Sequence, residues 1–315
     1  MRRRIIIVNW RQPALTLRAA RSVVPQMGPG DRLVVVDNGS GGDSVDRLRG
    51  AGLDVVETGR NLGFGGGVNA GARGMDEDAM VLLNNDAAAE EGFLDAITGP
   101  FDAACGSRVG ATTGKILLSG TWVPASKGQT DALVARDGTR WTRAEGGIVL
   151  VNSTGNVLDA SGNGSDRDWL APAGGAEAPA EVFGFCGGAC AIRREAWEEV
   201  GPFREDLFMY YEDTEMSWRL REAGWDIVHV PTALTLHDHA ASSGTTSPLF
   251  VRVNARNRIL VAVLHGPASM VARAMVRTAG RVARGPERCP VARGFGEALA
   301  RMPVILAERV RRRRG

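Results

Sequence analysis

The first hundred residues alternate short apolar runs with amphipathic segments, and this alternation limits the possible folds more than any other feature. Strands are predicted at four mostly apolar runs: 5–8, 33–36, 53–57 and 80–83. Helices are predicted after them: 14–24, 45–49, 68–74 and 90–97. Apolar strands that are each followed by a helix are typical of a parallel sheet covered on both faces. The sequence therefore predicts an α/β fold.

The remaining two thirds of the chain divide into three parts. Residues 109–118 predict another strand, whereas 119–180 are rich in Gly, Ser, Thr, Asn and Asp and predict an insert of hairpins and loops. Helices follow at 193–200 and 213–223, then a strand at 227–230 that Pro231 ends, then helix from 251 onward. We predict one α/β domain over 1–265 with subdivisions at 118 and 180, followed by a basic helical tail over 266–315.

The tail is strongly basic, although the whole chain has a formal charge of only +2. From residue 273 to the end there are 12 arginines and three glutamates, which leaves about −7 for residues 1–272. Helical spacing would place five arginines along one side of a helix: Arg273, Arg277, Arg281, Arg284 and Arg288. Such a tail favours an anionic partner, either membrane lipid or nucleic acid, and the alternative is a solvated tail.

Cysteine content and apolar run lengths bear on the compartment. The four cysteines are too scattered for a disulfide framework, and Cys186 and Cys190 lack the partners of a zinc site. We expect free thiols in a reducing compartment. The apolar run after the N-terminal arginines is too short for a signal peptide, and no run of 18 apolar residues exists. These features predict a cytoplasmic protein, peripheral to the inner face of the plasma membrane if the tail binds lipid.

Polar side chains follow three of the predicted strands, where ligands bind in sheets of this kind. These side chains belong to Asn9, to Asp37-Asn38 and to Asn84-Asn85-Asp86. The Asp37 carboxylate suits the ring N–H of a pyrimidine, although an ordinary Asx turn is the alternative. Asp86 offers an oxygen ligand for a divalent ion that His237 would complete, and its alternative role is a helix N-cap.

A glycine-rich segment comes after the third predicted strand and opens a helix. It begins at Asn61 and Gly63 and ends at Asn69, a placement that suits a diphosphate at a helix N-terminus. Gly65, Gly67 and Ala70 also match a loose dinucleotide-binding pattern. That pattern belongs after the first strand, so a dinucleotide site is the weaker interpretation.

Residues 184–239 bring together the groups that metal-assisted group transfer needs. The pair Gly187-Gly188 permits close approach of a ligand to the backbone. Glu212 and Asp213 follow two tyrosines and begin a predicted helix. Acidic residues there also stabilise the helix dipole, an explanation that fits Glu215 better than Asp213. We predict that Asp213 is a general base for a hydroxyl group.

From residue 5 to about residue 258 the chain resembles the family 2 inverting glycosyltransferases, in particular their bacterial rhamnosyltransferase-like branch. The resemblance rests on motifs that occur in the family's order. They are Val8-Asn9-Trp10, Val36-Asp37-Asn38-Gly39-Ser40, Asn61-Leu62-Gly63-Phe64-Gly65 with Asn69, Leu83-Asn84-Asn85-Asp86, Gly184-Phe185-Cys186-Gly187-Gly188 with Arg193-Arg194, the segment 211–219, and Asn257-Arg258.

This resemblance implies a GT-A-type, Rossmann-like nucleotide-diphospho-sugar transferase fold with a mixed sheet. It implies that Asp37 binds a pyrimidine, that Asp86 and His237 hold Mn²⁺ or Mg²⁺, and that Asp213 is the catalytic base. The further donor-binding residues would be Asn9, Asn38, Asn61, Gly63, Asn69, Asn84 and Asn85, and the acceptor-binding residues would be Gly187, Gly188 and Glu212. Asn84 departs from the family, many members of which have aspartate there.

The implied reaction is inverting transfer of a sugar from a pyrimidine nucleotide-diphosphate sugar to a hydroxyl group. Residues 1–118 would bind the donor and 181–265 the acceptor. We expect dTDP-L-rhamnose first and a UDP-hexose second, with a lipid-linked or cell-envelope glycan as acceptor and a secondary metabolite as the alternative. Anionic membrane, rather than nucleic acid, is the partner expected for the tail. Two rival hypotheses remain open, a dinucleotide-dependent oxidoreductase and an inactive nucleotide-sugar-binding protein.

Overall fold

The computed structural model describes residues 1–102, 108–238, 247–285 and 287–312. The strands are β1 (Arg3–Asn9), β2 (Arg32–Asp37), β3 (Val55–Glu57), β4 (Ala79–Leu83), β5 (Ala87–Ala89), β6 (Val109–Leu118), β7 (Trp122–Pro124), β8 (Leu133–Val134), β9 (Arg140–Arg143), β10 (Val151–Ser153), β11 (Asn156–Leu158), β12 (Gly164–Asp166), β13 (Ala189–Arg193) and β14 (Asp226–His237). The α-helices are α1 (Pro13–Val23), α2 (Ser44–Gly50), α3 (Gly63–Gly71), α4 (Phe93–Thr98), α5 (Arg194–Val200), α6 (Glu212–Glu222), α7 (Pro248–His265), α8 (Ala268–Arg284) and α9 (Arg288–Arg312).

One mixed sheet organises the molecule. Its strand order is β3-β2-β1-β4-β13-β6-β14-β5, with β10 paired to β6. Strands β1 to β4 run parallel, β13 is antiparallel to both of its neighbours, and β14 runs parallel to β6. Because two antiparallel pairings restore the direction, β6 and β14 point the same way as β1. The predicted α/β class and the mixed sheet are confirmed.

Side chains alternate between the two faces of the sheet along each strand, and both faces are buried. On β1, Ile5 and Ile7 face the helices α1 and α4, whereas Ile6 faces α3 and α6. Neighbouring strands continue both layers, for example with Val81 on the first face and Met80 on the second. Strands that are apolar at every position are therefore explained by burial on two sides.

The structure corrects several predicted elements. The last strand does not end at Pro231: β14 continues to His237, with a register shift between Val230 and Leu234 that accommodates the proline. Strands β5 and β13 were not predicted, because runs such as Ala87–Ala89 are too short to show a period. Helix α3 begins at Gly63, five residues earlier than predicted, since its glycines are packed rather than loose. The insert does form short hairpins, as expected.

The three C-terminal helices share a hydrophobic cluster built around α7. It contains Ile259, Val263, Ala274, Ala298 and Ile305. Helix α8 ends at Arg284 and α9 starts at Arg288, so the five predicted arginines do not lie on one helix. The terminal residues 313–315 of the predicted tail lie outside the described residues, as does Cys105. Cys186, Cys190 and Cys289 are free thiols.

Candidate active site

The strand directions bring the predicted site residues that follow or end strands to one edge of the sheet. Asn9 and Asp37 end β1 and β2, and Asn84 follows the end of β4. Leu83 is paired with Ala189, the residue after Gly188, so the glycine pair lies at the same edge. His237 ends β14 beside Ala87 on β5. The sequence places these residues far apart, and the topology brings them together.

Asn9 and Asp37 form a buried polar network at the ends of β1 and β2. Asn9 Nδ2 donates to Asp37 Oδ2 at 2.8 Å, and Ser40 N donates to Asp37 Oδ1 at 3.0 Å. Asn9 Oδ1 accepts a hydrogen bond from Thr16 on α1 at 2.7 Å. The Asp37 side chain keeps unused acceptor capacity, since each carboxylate oxygen can accept two hydrogen bonds. Beside this network Trp10 and Arg11 line a cleft of about 370 Å³.

Asn38 and Asn61 shape the loop that leads into α3. Asn38 Nδ2 donates to Gly63 O at 2.9 Å, and Asn61 Oδ1 accepts from Gly63 N at 2.8 Å. Gly63 has a φ of +77°, and a Cβ there would lie 1.7 Å from Phe208 O. Glycine is therefore required where this loop meets the segment before α6. These residues build the framework next to Asp37, and their contact with a donor stays a prediction.

The glycines of α3 serve helix packing. A Cβ on Gly65 would lie 3.0 Å from Phe203 Cβ, and one on Gly67 would lie 2.7 Å from Val8 Cγ1. Asn69 also holds Phe203: its Nδ2 donates to Phe203 O at 2.9 Å and its Oδ1 accepts from Phe203 N at 2.9 Å. The match to a dinucleotide-binding pattern thus reflects close packing of α3 on β1.

Asp86 and His237 meet at this edge, and Asn152 holds the imidazole from the other side. His237 Nε2 lies 2.9 Å from Asp86 Oδ1, and Nδ1 lies 2.8 Å from Asn152 Oδ1. The 2.9 Å distance between Nε2 and the carboxylate oxygen is that of an ordinary hydrogen bond. An imidazole nitrogen and a carboxylate oxygen are also ligand types for divalent ions, so the pair is suited to be two of the ligands of one ion.

The Asp86–His237 pair does not form a complete metal site. Within the described ranges, no group of three or more His, Cys, Asp and Glu side chains is placed to hold a metal ion. Asn84 and Asn85 are half-buried beside the pair. Divalent ions such as Mg²⁺ commonly take one or two protein carboxylates and complete their coordination with ligand oxygens and water. A metal at this edge would therefore depend on a bound anionic ligand.

Asp213 faces the glycine pair from the first turn of α6. Its Oδ2 accepts from Gly187 N at 3.3 Å, and its Oδ1 accepts from Thr214 N at 2.6 Å. Burial raises the pKa of Asp213, and these hydrogen bonds act in the opposite direction. A Cβ on Gly187 would lie 3.1 Å from Phe64 Cε1, so the missing side chain leaves room for Phe64 beside Asp213. A half-buried carboxylate with a raised pKa is suited to accept a proton.

The segment before Asp213 is held in an unusual backbone conformation. Phe208, Tyr210 and Tyr211 all have positive φ values, at 68°, 61° and 72°. Asn257 on α7 stabilises it, because its Nδ2 lies within 2.7–3.0 Å of the Leu207, Met209 and Tyr210 carbonyl oxygens. Non-glycine residues in this region cost roughly 1–3 kcal/mol each and cluster at functional sites. Asn257 is thereby a structural determinant of where Asp213 lies.

Glu212 is buried behind Asp213. Burial raises the pKa of the Glu212 carboxyl to about 8, and the charge of Asp213 adds to the rise. One carboxyl oxygen, Oε2, is buried without a hydrogen-bond partner among the described residues. The predicted contact of Glu212 with an acceptor stays untested. Glu215, which the sequence assigns to stabilising the helix dipole, forms an ion pair with Arg219 at 2.9 Å and lies 3.1 Å from His265 Nε2, so its role is structural.

Replacing Glu212 with glutamine is expected to stabilise the protein at alkaline pH. The folded state holds the proton up to about pH 8 and the unfolded state only to about pH 4.5, so the native protein loses stability as the pH rises between these values. Glutamine has no proton to lose, and at pH 9 we expect a gain of about 2–4 kcal/mol. Denaturant unfolding at pH 6 and pH 9 checks this. The exposed Glu198→Gln is the control, and parallel pH curves for both variants would contradict the prediction.

Asp166 was missed in the sequence, and the structure places it in the site. It lies at the end of β12 and accepts hydrogen bonds from Ser153 and Cys186. Burial raises its pKa to about 6, with the charge of Asp213 adding to the rise and His237 lowering it. Asp166 is therefore near both the predicted base and the metal pair. Nothing in the sequence distinguishes it from Asp159, which pairs with Arg277 instead.

Comparison with known proteins agrees with this geometry. Two family models match consecutive segments: glycosyl transferase family 2 over residues 4–146, and glycosyl transferase family group 2 over residues 147–258. The chain is similar to an N-acetylglucosaminyl-diphospho-decaprenol L-rhamnosyltransferase of Mycobacterium tuberculosis. The two are 29% identical over 234 residues, which cover 67% of this chain and 68% of the relative.

Two solved structures have a similar fold. The mannosyltransferase PcManGT from Pyrobaculum calidifontis gives a TM-score of 0.54 at 15% identity, over 98% of this chain and 85% of the other. Residues 1–349 of TarS from S. aureus give a TM-score of 0.53 at 14% identity, over 98% of this chain and 82% of the other. These structures show that the chain has the GT-A fold. Because the two family models together cover residues 4–258, the chain belongs to glycosyltransferase family 2 and is a glycosyltransferase.

Proposed function

We propose that the protein transfers a sugar, with inversion, from a pyrimidine nucleotide-diphosphate sugar to a hydroxyl group of a glycan or lipid-linked acceptor. The observation that carries the proposal is the placement of two separate groups on one edge of the sheet. One group is the carboxylate of Asp213, and the other is the Asp86–His237 pair. Direct displacement needs a base for the incoming hydroxyl and positive charge for the leaving diphosphate. Asp213 is suited to be the base, and the Asp86–His237 pair would hold the divalent ion that supplies the positive charge.

In the proposed mechanism Asp213 orients the acceptor hydroxyl and takes its proton while the hydroxyl oxygen bonds to the anomeric carbon. The bond from that carbon to the diphosphate oxygen breaks in the same step, and the nucleotide diphosphate leaves with the electron pair. Gly187 N donates to Asp213 Oδ2, and Thr214 donates to Oδ1. Each oxygen of the carboxylate is therefore held by a different neighbour. Asp37 and Asn9 lie where the base of the donor would bind. A single displacement on the anomeric carbon inverts its configuration.

The residues suited to a divalent ion are Asp86 and His237, with Asn152 orienting the imidazole. When bound, the ion would neutralise the charge that develops on the leaving diphosphate. The PcManGT structure was solved with GDP-Man and Mn²⁺, which supports a divalent metal as the general requirement. Both Mn²⁺ and Mg²⁺ accept oxygen ligands, so the donor screen compares the activity with each ion.

For the donor we propose dTDP-L-rhamnose, with a UDP-hexose as the second candidate. The M. tuberculosis relative is named as an L-rhamnosyltransferase that acts on N-acetylglucosaminyl-diphospho-decaprenol, so its name supports both the sugar and a lipid-linked acceptor. The chain's own Asp37, buried at the end of β2, supports a pyrimidine base. We further propose that the enzyme works at the inner face of the plasma membrane.

A donor screen tests the proposal directly. The full chain is incubated with Mn²⁺ or Mg²⁺ and with dTDP-L-rhamnose, UDP-glucose, UDP-N-acetylglucosamine or GDP-mannose, together with a synthetic N-acetylglucosaminyl-diphospho-lipid. Mass spectrometry should detect addition of a deoxyhexose with the first donor. Transfer from GDP-mannose alone would contradict the pyrimidine assignment, and transfer from a UDP-hexose alone would replace rhamnose with that sugar.

A further inference from the structure

Helix α9 turns an apolar face toward solvent. Residues spaced three or four apart along this face are all exposed: Ala292, Gly296, Leu299, Pro303, Leu306 and Val310. The opposite side of the helix, with Ala298 and Ile305, is already buried against α7. Solvent-facing helix surfaces are ordinarily polar, so a second apolar face indicates contact with something else.

The charges on this exposed face are of one sign. Its charged residues are Arg288, Arg293 and Arg311, whereas Arg312 turns toward the protein and pairs with Glu222 at 3.1 Å. The two glutamates of α9 point into the protein: Glu297 pairs with Arg252 at 3.3 Å, and Glu308 pairs with Arg204. Among ion pairs of the described residues, none involves Arg288, Arg293 or Arg311. The face is thus apolar along its centre and positive at its margins.

An apolar groove continues this surface at the start of α9. It has a volume of about 280 Å³ and is lined by Pro248, Leu249, Arg252, Cys289, Pro290 and Arg293. Leu249 is 43% exposed there. The groove shares Arg293 with the exposed face, so apolar surface bordered by arginine extends from α9 onto α7.

We propose that the exposed face of α9 docks on an anionic lipid bilayer, with the helix lying in the plane of the interface. Apolar side chains would enter the headgroup region while arginines contact lipid phosphates, the arrangement typical of interfacial helices. A second copy of the chain fits less well, because it would bring two arginine-bordered faces together without an acidic partner. None of the helices among the described residues is long and apolar enough to span a bilayer.

Two of the α8 arginines that the sequence first suggested form ion pairs within the protein. Arg277 pairs with Asp159 at 2.8 Å and Arg281 pairs with Glu287 at 3.0 Å. Helix α9 instead contacts the segment that precedes Asp213, since Arg301 donates to Asp206 O at 3.0 Å. Docking through α9 would therefore hold the active site at a fixed position near the membrane. This consequence rests on the proposed function, because it matters for a lipid-linked acceptor.

Vesicle co-sedimentation tests the inference with the full chain. The double variant Leu299→Glu/Leu306→Glu places two negative charges in the exposed face, at positions 43% and 46% exposed. The matched control Val24→Glu/Val134→Glu adds the same charge at positions 49% and 54% exposed on other surfaces. Substitutions are preferable to truncation, because removing α8 and α9 would uncover the α7 cluster. Thermal unfolding confirms that both variants are folded.

Wild type should pellet with phosphatidylglycerol vesicles at low salt and much less with pure phosphatidylcholine. The α9 variant should bind at least about tenfold more weakly, and the control within about twofold of wild type. Equal binding of the two variants, or no binding by wild type, would overturn the inference. So would a wild-type dimer in analytical ultracentrifugation that the α9 variant disrupts while vesicle binding is unchanged. Transfer to a water-soluble acceptor is measured in parallel, and its absence would count against the proposed function alone.

Discussion

Replacing Asp213 with asparagine is expected to lower kcat by about 10²–10⁴-fold while nucleotide binding is unchanged. The amide retains an oxygen that can accept from Gly187 N or Thr214 N, so the start of α6 should keep its position. It cannot take a proton from an acceptor hydroxyl. Steady-state kinetics with the preferred donor gives kcat, and calorimetry with the free nucleotide diphosphate gives the binding constant.

The control for this experiment is Asp95→Asn, the same chemical change on α4, outside the active site. The Asp95 side chain is 85% exposed. It should leave kcat within about twofold of wild type. If Asp213→Asn kept more than about a hundredth of the wild-type kcat, another group would have to be the base. Asp166 would then be the first candidate, since it lies near Asp213 and has a raised pKa of about 6.

Loss of the Asp86–His237 pair is expected to have the second large effect. His237→Ala should raise the Mn²⁺ concentration needed for half-maximal activity by at least about tenfold, because it removes one of the two side chains suited to the ion. Asp86→Asn should act in the same direction, and EDTA should abolish activity in the wild type. Activity measured across a Mn²⁺ titration gives these values.

Asp238→Asn provides the matched control for Asp86→Asn. Asp238 is adjacent to His237 in sequence, but its carboxylate pairs with Arg18 at 2.6 Å. The Mn²⁺ requirement of the Asp238→Asn variant should equal that of the wild type. Asn152→Ala should fall between the control and His237→Ala, since Asn152 contacts only the far nitrogen of the imidazole. Full activity of the wild type in EDTA would show that the donor is bound by side chains alone.

The sequence was sufficient to predict the parallel half of the sheet and the strand-end residues. Strands such as β1 and β4 are apolar at nearly every position and give a clear pattern, and Asn9, Asp37 and Asp86 follow directly from where such strands end. The residue types suggested a base at Asp213 and a metal ligand at His237, and the resemblance implies the same roles, which stay predictions. The structure then showed that Asp86 and His237 lie within hydrogen-bonding distance, 151 residues apart in the chain.

The missed features depend on contacts that no local pattern encodes. Asp166 and Asn152 come from an insert whose Gly, Ser and Asn content predicts loops in general but not which side chains face the cleft. Strand β14 continues past Pro231 because its register against β6 shifts there. The pairing therefore does not use the backbone N–H that proline lacks. Asn257 holds the backbone ahead of Asp213 from α7, about fifty residues further along the chain.

The stereochemistry of transfer tests the central claim most directly, because that claim is a single displacement with Asp213 as the base. The product formed by the wild-type enzyme is isolated before it can be modified further, and the configuration of its new glycosidic bond is read from the one-bond carbon–proton coupling at the anomeric position by NMR. The account predicts a configuration opposite to that of the sugar in the donor nucleotide. A product that keeps the donor's configuration would contradict it.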